Sequence, residues 1–267
     1  MIDGVAGTVL TVDDLAARLA RVPRRTALFT DFDGTLAPIV TDPATARPAP
    51  GTVEALDALT TRYRRVGVLS GRPLDYLAPL LPATVDIGAL YGLEQRVGGQ
   101  RTEHPGADRW RAVVTTVATE AAQALAAYDG VGIEAKGLSL TLHVRRAPQH
   151  LAAVVAFAAD AARRHGLEAR EAKASVELHP PVAVDKGTLL TRWADGADVV
   201  AFFGDDLGDL AAFSALGDLA ARLGIEAYRV VVLGRETPVA VRAVADVLLE
   251  DPAALAALLQ RLVTAAS

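Results

Sequence analysis

Three short apolar segments of this chain each end in polar residues, and this pattern constrains the fold most strongly. Ala27–Thr30 precedes D-F-D, Val66–Leu69 precedes S-G-R, and Val199–Phe203 precedes G-D-D. Segments with helical spacing of apolar residues lie between them, an alternation typical of a parallel α/β sheet. Because ligands of an open parallel sheet bind outside the carboxyl ends of its strands, we expect these polar residues to converge on one crevice.

The middle of the chain, from about residue 96 to 182, has a different pattern. A helical segment precedes two strand-like segments, and the same order then repeats. In the second of these strands, predicted over residues 138–145, apolar and polar residues alternate, as in an antiparallel strand with one buried face. We therefore predict a Rossmann-like parallel-sheet core made of residues 1–95 and 183–267. Residues 96–182 are predicted to form an inserted α+β domain of αββαββ type.

Two further segments complete the predicted core sheet. Ala89–Tyr91 is short, apolar and followed by glycine, so we predict a third parallel strand there. Arg229–Leu233 is predicted to be the last strand, with a helix from about Pro252 to Val263 after it.

The composition excludes several classes of protein. A net charge of −5 over 267 residues offers no overall attraction to nucleic acid or to an anionic membrane. The absence of cysteine excludes disulfides, thiolate metal sites and a cysteine nucleophile. No apolar run reaches the roughly 18 residues of a membrane span, and the start, M-I-D-G-V-A-G, lacks the features of a signal peptide. We expect a soluble, cytoplasmic protein, with a monomer favoured.

The aspartates that follow the first and third apolar segments predict a magnesium site. Asp31, Asp205 and Asp206 offer carboxylate oxygens with no histidine or cysteine nearby in sequence, and Mg²⁺ prefers such ligands. Mg²⁺ would neutralise the repulsion between Asp31 and a phosphate, and Asp31 could attack it to form an aspartyl-phosphate. Asp33 could protonate the leaving alkoxide and later deprotonate the attacking water.

A second group of residues is predicted to bind the phosphate. Ser70, Gly71 and Lys186 are natural phosphate ligands, and we assign Arg72 and Thr35 to the same site, where Thr35 could support the loop. Taken alone, a serine such as Ser70 is most often a helix N-cap, and a lysine such as Lys186 is most often an exposed helix start. The order of all the motifs, each at the end of a strand or helix, favours the phosphate site.

Four short motifs now carry a family resemblance. D-F-D-G-T-L, S-G-R-P-L, D-K-G and G-D-D-x-x-D together resemble the motifs of the haloacid dehalogenase-like phosphatase superfamily. Within it, the chain resembles the trehalose-6-phosphate phosphatases from end to end, through segments such as Y-G-L-E, E-A-K-G-L-S-L-T-L-H-V-R and V-E-L-H-P. The resemblance implies Mg²⁺-dependent hydrolysis of trehalose 6-phosphate to trehalose and phosphate.

The resemblance also implies roles for individual residues. It makes Asp31 the nucleophile and Asp33 the general acid/base, with Mg²⁺ held by Asp31, the Asp33 carbonyl and Asp205. Asp206 and Asp209 would support these ligands.

The insert would be a mobile cap, in which four residues face the sugar: Lys136, His143, Arg145 and Glu177. For Lys136 and Glu177, a pair of exposed strand residues is the alternative explanation.

Two positions depart from the family pattern. Gly208 stands where the family usually has threonine, and His179 where it often has arginine. The change at Gly208 affects how rigidly the metal ligands are supported. The change at His179 affects one contact that the cap is expected to make.

Two alternatives for the function stay open. The first is a phosphatase for another sugar phosphate, such as a trehalose-like pseudo-disaccharide phosphate. The second is a non-catalytic sugar-phosphate-binding partner of the synthase that makes the substrate. The presence of Asp31, Asp33 and Asp205 together disfavours the second.

Overall fold

The structure is a computed structural model that describes residues 10–172, 174–235 and 237–265. Its helices are α1 (Val12–Arg21), α2 (Thr52–Thr60), α3 (Leu74–Leu77), α4 (Ala107–Ala124), α5 (Leu151–His165), α6 (Lys186–Trp193), α7 (Leu210–Leu223), α8 (Val239–Arg242) and α9 (Pro252–Ala265). Its strands are β1 (Thr26–Thr30), β2 (Arg65–Leu69), β3 (Asp86–Ala89), β4 (Glu94–Val97), β5 (Gln100–Glu103), β6 (Gly132–Ala135), β7 (Leu140–His143), β8 (Glu168–Ala172), β9 (Ser175–His179), β10 (Val199–Gly204), β11 (Glu226–Val232) and β12 (Val247–Leu249). Within these residues, no helix combines the length and the apolar character needed to cross a membrane.

The core is one sheet with strand order β12-β11-β10-β1-β2-β3-β4-β5. The strands from β12 to β3 run parallel, and β4 joins β3 antiparallel. Leu28 of β1 packs on the side of α1, α2 and α9, while Phe29 packs on the side of α6 and α7. Because both faces of the central strands are covered, their sequences are almost entirely apolar. The predicted Rossmann-like core is confirmed.

The second compact unit, Glu103–Ala183, contains the inserted α+β segment. Its helices and strands follow the predicted αββαββ order, and the strands form an antiparallel sheet β6-β7-β9-β8. Leu140 and Leu142 of β7 face a small apolar core with Val114 of α4 and Val154 of α5. The fold class is therefore as predicted.

The two compact units divide close to the predicted domain boundaries. One unit consists of the chain up to Thr102 and from Val184 onward, and the other is Glu103–Ala183. Residues 96 to 102, predicted to belong to the insert, thus lie in the core unit, because β4 and β5 extend the core sheet. The functional division into core and cap stays a prediction.

Three strand predictions need correction. β3 ends at Ala89, and Leu90 and Tyr91 take left-handed backbone conformations, with φ of 46° and 59°. The strand predicted over 138–145 is shorter, because β7 spans only Leu140–His143. The predicted last strand is followed by another one, the three-residue β12.

Gly187 permits the close packing of α6 on α7. A Cβ atom at this position would lie 2.8 Å from the carbonyl carbon of Ala211 and closer still to its oxygen. We expect Gly187→Ala to lower the free energy of unfolding by about 1–3 kcal/mol, because backbone rather than a side chain must move. Urea unfolding measures this change.

Gly217→Ala is the matched control. Gly217 lies in α7, and a Cβ atom added there would have nothing within 4 Å, so alanine should stabilise the helix by about 0.5–1 kcal/mol. A neutral or stabilising effect of Gly187→Ala would contradict the packing described.

Candidate active site

The parallel pairing of β1 with β10 brings two motif aspartates together. Thr30 pairs with Phe203 in the sheet, and the N–H of Asp31 donates to the Phe203 carbonyl at 2.8 Å. Asp205 follows the end of β10 directly. Asp31 and Asp205 are 5% and 9% exposed, so both carboxyl groups are buried at the edge of the sheet.

Lys186 is the cation at the centre of this cluster. Its Nζ lies 2.8 Å from Oδ1 of Asp31 and 2.7 Å from Oδ1 of Asp209. The other oxygen of Asp209 accepts hydrogen bonds from the backbone N–H groups of Asp205 (2.8 Å) and Asp206 (3.1 Å). Asp209 is fully buried. Because one of its oxygens binds Lys186 and the other binds the G-D-D backbone, Asp209 holds both in place. An exposed helix start does not explain Lys186, which is 3% exposed.

The D-K-G-T sequence positions Lys186 through a helix cap. Asp185 is the N-cap of α6, and its Oδ1 accepts from the N–H of Thr188 at 2.7 Å. The Thr188 hydroxyl accepts in return from the N–H of Asp185 at 2.9 Å. This reciprocal capping box fixes the first turn of α6, in which Lys186 is the first residue.

Carboxylates outnumber the Lys186 ammonium in this cluster. Asp31, Asp205 and Asp209 each offer an oxygen within 4.8 Å of the others, and all three side chains are buried. Burial raises the pKa of Asp31 well above its usual value, and Asp209 adds to the effect while Lys186 opposes it. Burial, together with Asp209 and Asp206, raises the pKa of Asp205 to about 8.

Lys186 stays charged in these surroundings. Burial alone would lower its pKa, but the carboxylates of Asp209 and Asp31 raise it well above the usual value. An all-oxygen, buried and acidic set around this ammonium is suited to a bound metal cation, which would supply the missing positive charge. The cluster is thus an acidic site able to hold a metal.

Gly34 and Thr35 lie directly against the carboxylate of Asp205. The hydroxyl of Thr35 donates to Oδ1 of Asp205 at 3.0 Å, and Thr35 is fully buried. Gly34 has a φ of 78°, and a Cβ atom there would collide with the Asp205 carboxylate. Thr35 therefore contacts a carboxylate directly, and its role at the phosphate stays a prediction.

The S-G-R loop follows β2 at the same edge of the sheet. Ser70 is 1% exposed, and its Oγ accepts from the N–H of Arg72 at 3.2 Å. The N-cap of α3 is Pro73, so a helix cap does not explain the serine. A Cβ atom at Gly71 would lie 2.7 Å from the hydroxyl of Tyr91, so a larger residue there would require the Tyr91 ring to move.

Arg72 pairs with Asp33, a contact that the sequence did not indicate. Its Nε lies 2.7 Å from Oδ2 of Asp33, and its Nη2 lies 2.8 Å from Oδ1. The two residues are 39 positions apart in the chain, and no spacing rule connects them. The bidentate geometry orients the Asp33 carboxylate, so the guanidinium predicted to bind phosphate is engaged with the second aspartate of D-F-D.

In the unit Glu103–Ala183, four polar residues of the inserted sheet form two pairs. Oε1 of Glu177 lies 3.7 Å from Nζ of Lys136 and accepts from the Ser139 hydroxyl at 2.9 Å. Nε2 of His143 lies 2.8 Å from the carboxylate of Glu134. The structure thus joins Lys136 to Glu177 and adds Ser139 and Glu134, which alternate in sequence with the apolar residues of the strands. The alternation of polar and apolar residues is the sequence feature that could have identified Ser139 and Glu134 as members of this polar face.

Arg145 and His179 are not members of these two pairs. Arg145 is exposed in the turn after β7. The sequence predicts it at the end of that strand, but the observed strand stops at His143. His179 is 5% exposed, and its Nδ1 lies 2.7 Å from the carbonyl of Pro180. Burial, and then Arg170, lower the pKa of His179, so the ring is neutral at pH 7.

The core sheet, the inserted α+β unit and the aspartates at the carboxyl edge define the class, a haloacid dehalogenase-like fold with an inserted α+β unit. The family model described as trehalose-phosphatase matches residues 29–244. The C-terminal domain of the trehalose-6-phosphate phosphatase of Candida albicans superposes with a TM-score of 0.73 at 23% identity, over 94% of this chain and 96% of that one. That likeness shows the fold.

Two mycobacterial proteins are similar in sequence. The trehalose-phosphate phosphatase of Mycobacterium tuberculosis H37Rv is 35% identical over 207 residues, which are 73% of this chain and 52% of that protein. The protein of the same name from Mycobacterium leprae is 31% identical over 223 residues, 78% and 50% of the respective chains. This chain belongs to the trehalose-phosphatase family. It spans about half the length of these two relatives.

The raised pKa of Asp205 predicts how stability depends on pH. A carboxyl group with a pKa of about 8 in the folded protein, against an ordinary 3.8, binds its proton more tightly when folded. Its contribution to the free energy of unfolding therefore falls as pH rises from roughly 4 to 8, by up to about 1.4 kcal/mol per pH unit. We expect Asp205→Asn to make this decline shallower in EDTA-treated protein, as measured by urea unfolding at several pH values.

Asp218→Asn is the control, because Asp218 is exposed on α7. It should leave the pH dependence of wild type unchanged. If Asp205→Asn and wild type show the same slope, the electrostatic description of the cluster is wrong.

Proposed function

We propose that this chain hydrolyses trehalose 6-phosphate to trehalose and inorganic phosphate through an aspartyl-phosphate on Asp31, with Mg²⁺ as its cofactor. The observation that carries the proposal is the buried cluster of Asp31, Asp205 and Asp209 around Lys186 at the carboxyl edge of the sheet. Membership of the trehalose-phosphatase family supports the choice of substrate.

Asp31, Asp205 and the backbone carbonyl of Asp33 are the proposed ligands of Mg²⁺. Both oxygens of Asp209 already bind Lys186 and the G-D-D backbone, so Asp209 is better suited to support the site than to ligate. Asp206 accepts from the N–H of Gly208 at 2.8 Å and holds the same loop. When bound, Mg²⁺ would supply the positive charge that lets an anionic phosphate approach anionic carboxylates.

Asp31 then acts as the nucleophile. Its Oδ1 is held by Lys186, which orients the carboxylate and leaves Oδ2 to attack phosphorus. The bond between phosphorus and the sugar oxygen breaks, and the electron pair moves to that oxygen. Asp33 in its protonated form donates the proton, so trehalose leaves as a neutral alcohol. Ser70, Gly71, Thr35 and Lys186 form the proposed phosphate-binding group, whereas Arg72, which the sequence assigned to it, is engaged with Asp33.

The second half of the reaction regenerates the enzyme. Asp33, now a carboxylate, takes a proton from water as the water oxygen attacks phosphorus. The bond between phosphorus and Asp31 breaks, its electron pair returns to the carboxylate, and phosphate leaves. The same residue therefore serves first as acid and then as base.

The insert is the proposed cap domain, which would recognise the sugar part of the substrate. A disaccharide has many hydroxyl groups, which charged side chains can bind through hydrogen bonds. Two pairs on one polar face of the sheet offer such side chains, Lys136 with Glu177 and Glu134 with His143. Arg145, exposed beyond β7, is proposed for the same surface. A cytoplasmic location and a monomeric state stay predictions.

Phosphate release by the purified protein tests the function. With Mg²⁺, we expect strong preference for trehalose 6-phosphate over glucose 6-phosphate, sucrose 6-phosphate and mannosyl-3-phosphoglycerate. EDTA should abolish turnover, and Asp31→Asn should lower kcat by about 1000-fold or more, because it removes the nucleophile. An Asp31→Asn enzyme with near-normal kcat would exclude the aspartyl-phosphate.

Glu177→Gln separates the substrate assignment from the chemistry. It should reduce kcat/KM for trehalose 6-phosphate far more than for p-nitrophenyl phosphate, which has no sugar to read. Metal-dependent activity without preference for trehalose 6-phosphate would instead favour another sugar phosphate, with pseudo-disaccharide phosphates as the next compounds to assay.

A further inference from the structure

Tyr76 of α3 is linked to Asp33 by one guanidinium group. The central carbon of the Arg72 guanidinium lies 4.5 Å from the centroid of the Tyr76 ring. The edge of the same guanidinium donates to both oxygens of Asp33. The aromatic ring therefore supports the face of the arginine while the arginine holds the carboxylate.

The hydroxyl of Tyr76 fixes the loop that follows the D-F-D motif. It lies 2.9 Å from the carbonyl oxygen of Ala46 and 3.1 Å from that of Pro43. Nη2 of Arg72 also donates to the Pro43 carbonyl at 3.0 Å. The tyrosine and the arginine thus share a backbone acceptor, which ties the two side chains to one position of the loop.

Tyr76 also contacts the residue between the two motif aspartates. Its ring meets that of Phe32 edge to face, with centroids 6.0 Å apart and an interplanar angle of 89°. Phe32 is fully buried, so it gives Tyr76 a rigid neighbour. Three contacts of different kinds, to a ring, a cation and two carbonyls, therefore hold one side chain of a four-residue helix.

From this geometry we propose that Tyr76 is a positioning residue that acts on Asp33 through Arg72, an inference that rests on the proposed function. Arginine has a flexible stem, and the observed contact requires the guanidinium orientation in which Nε and Nη2 both face Asp33. The ring face and the Pro43 carbonyl select that orientation. Asp33 is then held where it can reach the oxygen that leaves phosphorus, and a small displacement of such a group reduces the rate of proton transfer.

Leaving groups of different basicity test the proposal. A sugar alkoxide needs a proton in the transition state, whereas p-nitrophenolate leaves without one. We expect Tyr76→Leu to lower kcat/KM for trehalose 6-phosphate by about tenfold and that for p-nitrophenyl phosphate by less than about twofold. Tyr76→Phe keeps the ring on Arg72 and should stay within about threefold of wild type on both substrates. Equal losses of kcat/KM on the two substrates for Tyr76→Leu would overturn the proposal.

A double-mutant cycle tests the route through Arg72. Arg72→Lys cannot make the bidentate contact, so it should show the same selective loss on trehalose 6-phosphate. In the Arg72→Lys background, Tyr76→Leu should change kcat/KM by less than about twofold, because the partner through which it acts is already lost. A further tenfold loss there would show that Tyr76 acts independently of Arg72.

Tyr228→Leu controls for general loss of packing. Tyr228 is buried in β11 of the core sheet, and its hydroxyl donates to the carboxylate of Glu226. Its replacement should lower Tm without changing the ratio of the two kcat/KM values. A wild-type enzyme that releases phosphate from neither substrate would overturn the proposed function itself. A wild-type enzyme active on both, with an unchanged ratio in Tyr76→Leu, would overturn only the role of Tyr76.

Discussion

The ammonium group of Lys186 holds the site together. It lies between Asp31 from the end of β1 and Asp209 from the start of α7, so one cation joins elements that are far apart in sequence. A buried charge of this kind is tolerated only when opposite charges and hydrogen bonds surround it. The acidic residues provide those partners in excess, and that excess makes the site able to hold a second cation.

The surrounding structure serves to place that ammonium. The capping box of Asp185 and Thr188 fixes the first turn of α6, and Gly187 brings this turn against the backbone at Ala211. β1 and β10 carry Asp31 and Asp205 to the same edge of the sheet, because the two strands are adjacent and parallel. Sheet topology, helix capping and close helix packing thus act on a single charge cluster. A loss of any of them is expected to move a carboxylate as well as to reduce stability.

Much of this was predictable, because the motif residues stand where apolar strands end or, for Lys186, where a helix begins. Strands buried on both faces have an unmistakable apolar sequence, so β1, β2 and β10 could be located and their polar ends assigned. The edge strand β5, Q-R-T-E, is exposed throughout and has no apolar alternation, and β12 has only three residues. The pairing of Arg72 with Asp33 depends on where two loops meet in space, and no local pattern encodes it.

Titration of Mg²⁺ into EDTA-treated protein by isothermal calorimetry tests the central claim most directly. We expect one ion per wild-type chain and no measurable binding to Asp205→Asn, because a buried ligand oxygen is lost. Asp33→Asn should bind Mg²⁺ within about threefold of wild type, since the side chain of Asp33 is held by Arg72 and only its backbone carbonyl is a proposed ligand. Unchanged binding by Asp205→Asn, or loss of binding by Asp33→Asn, would contradict the assignment of the cation to this cluster.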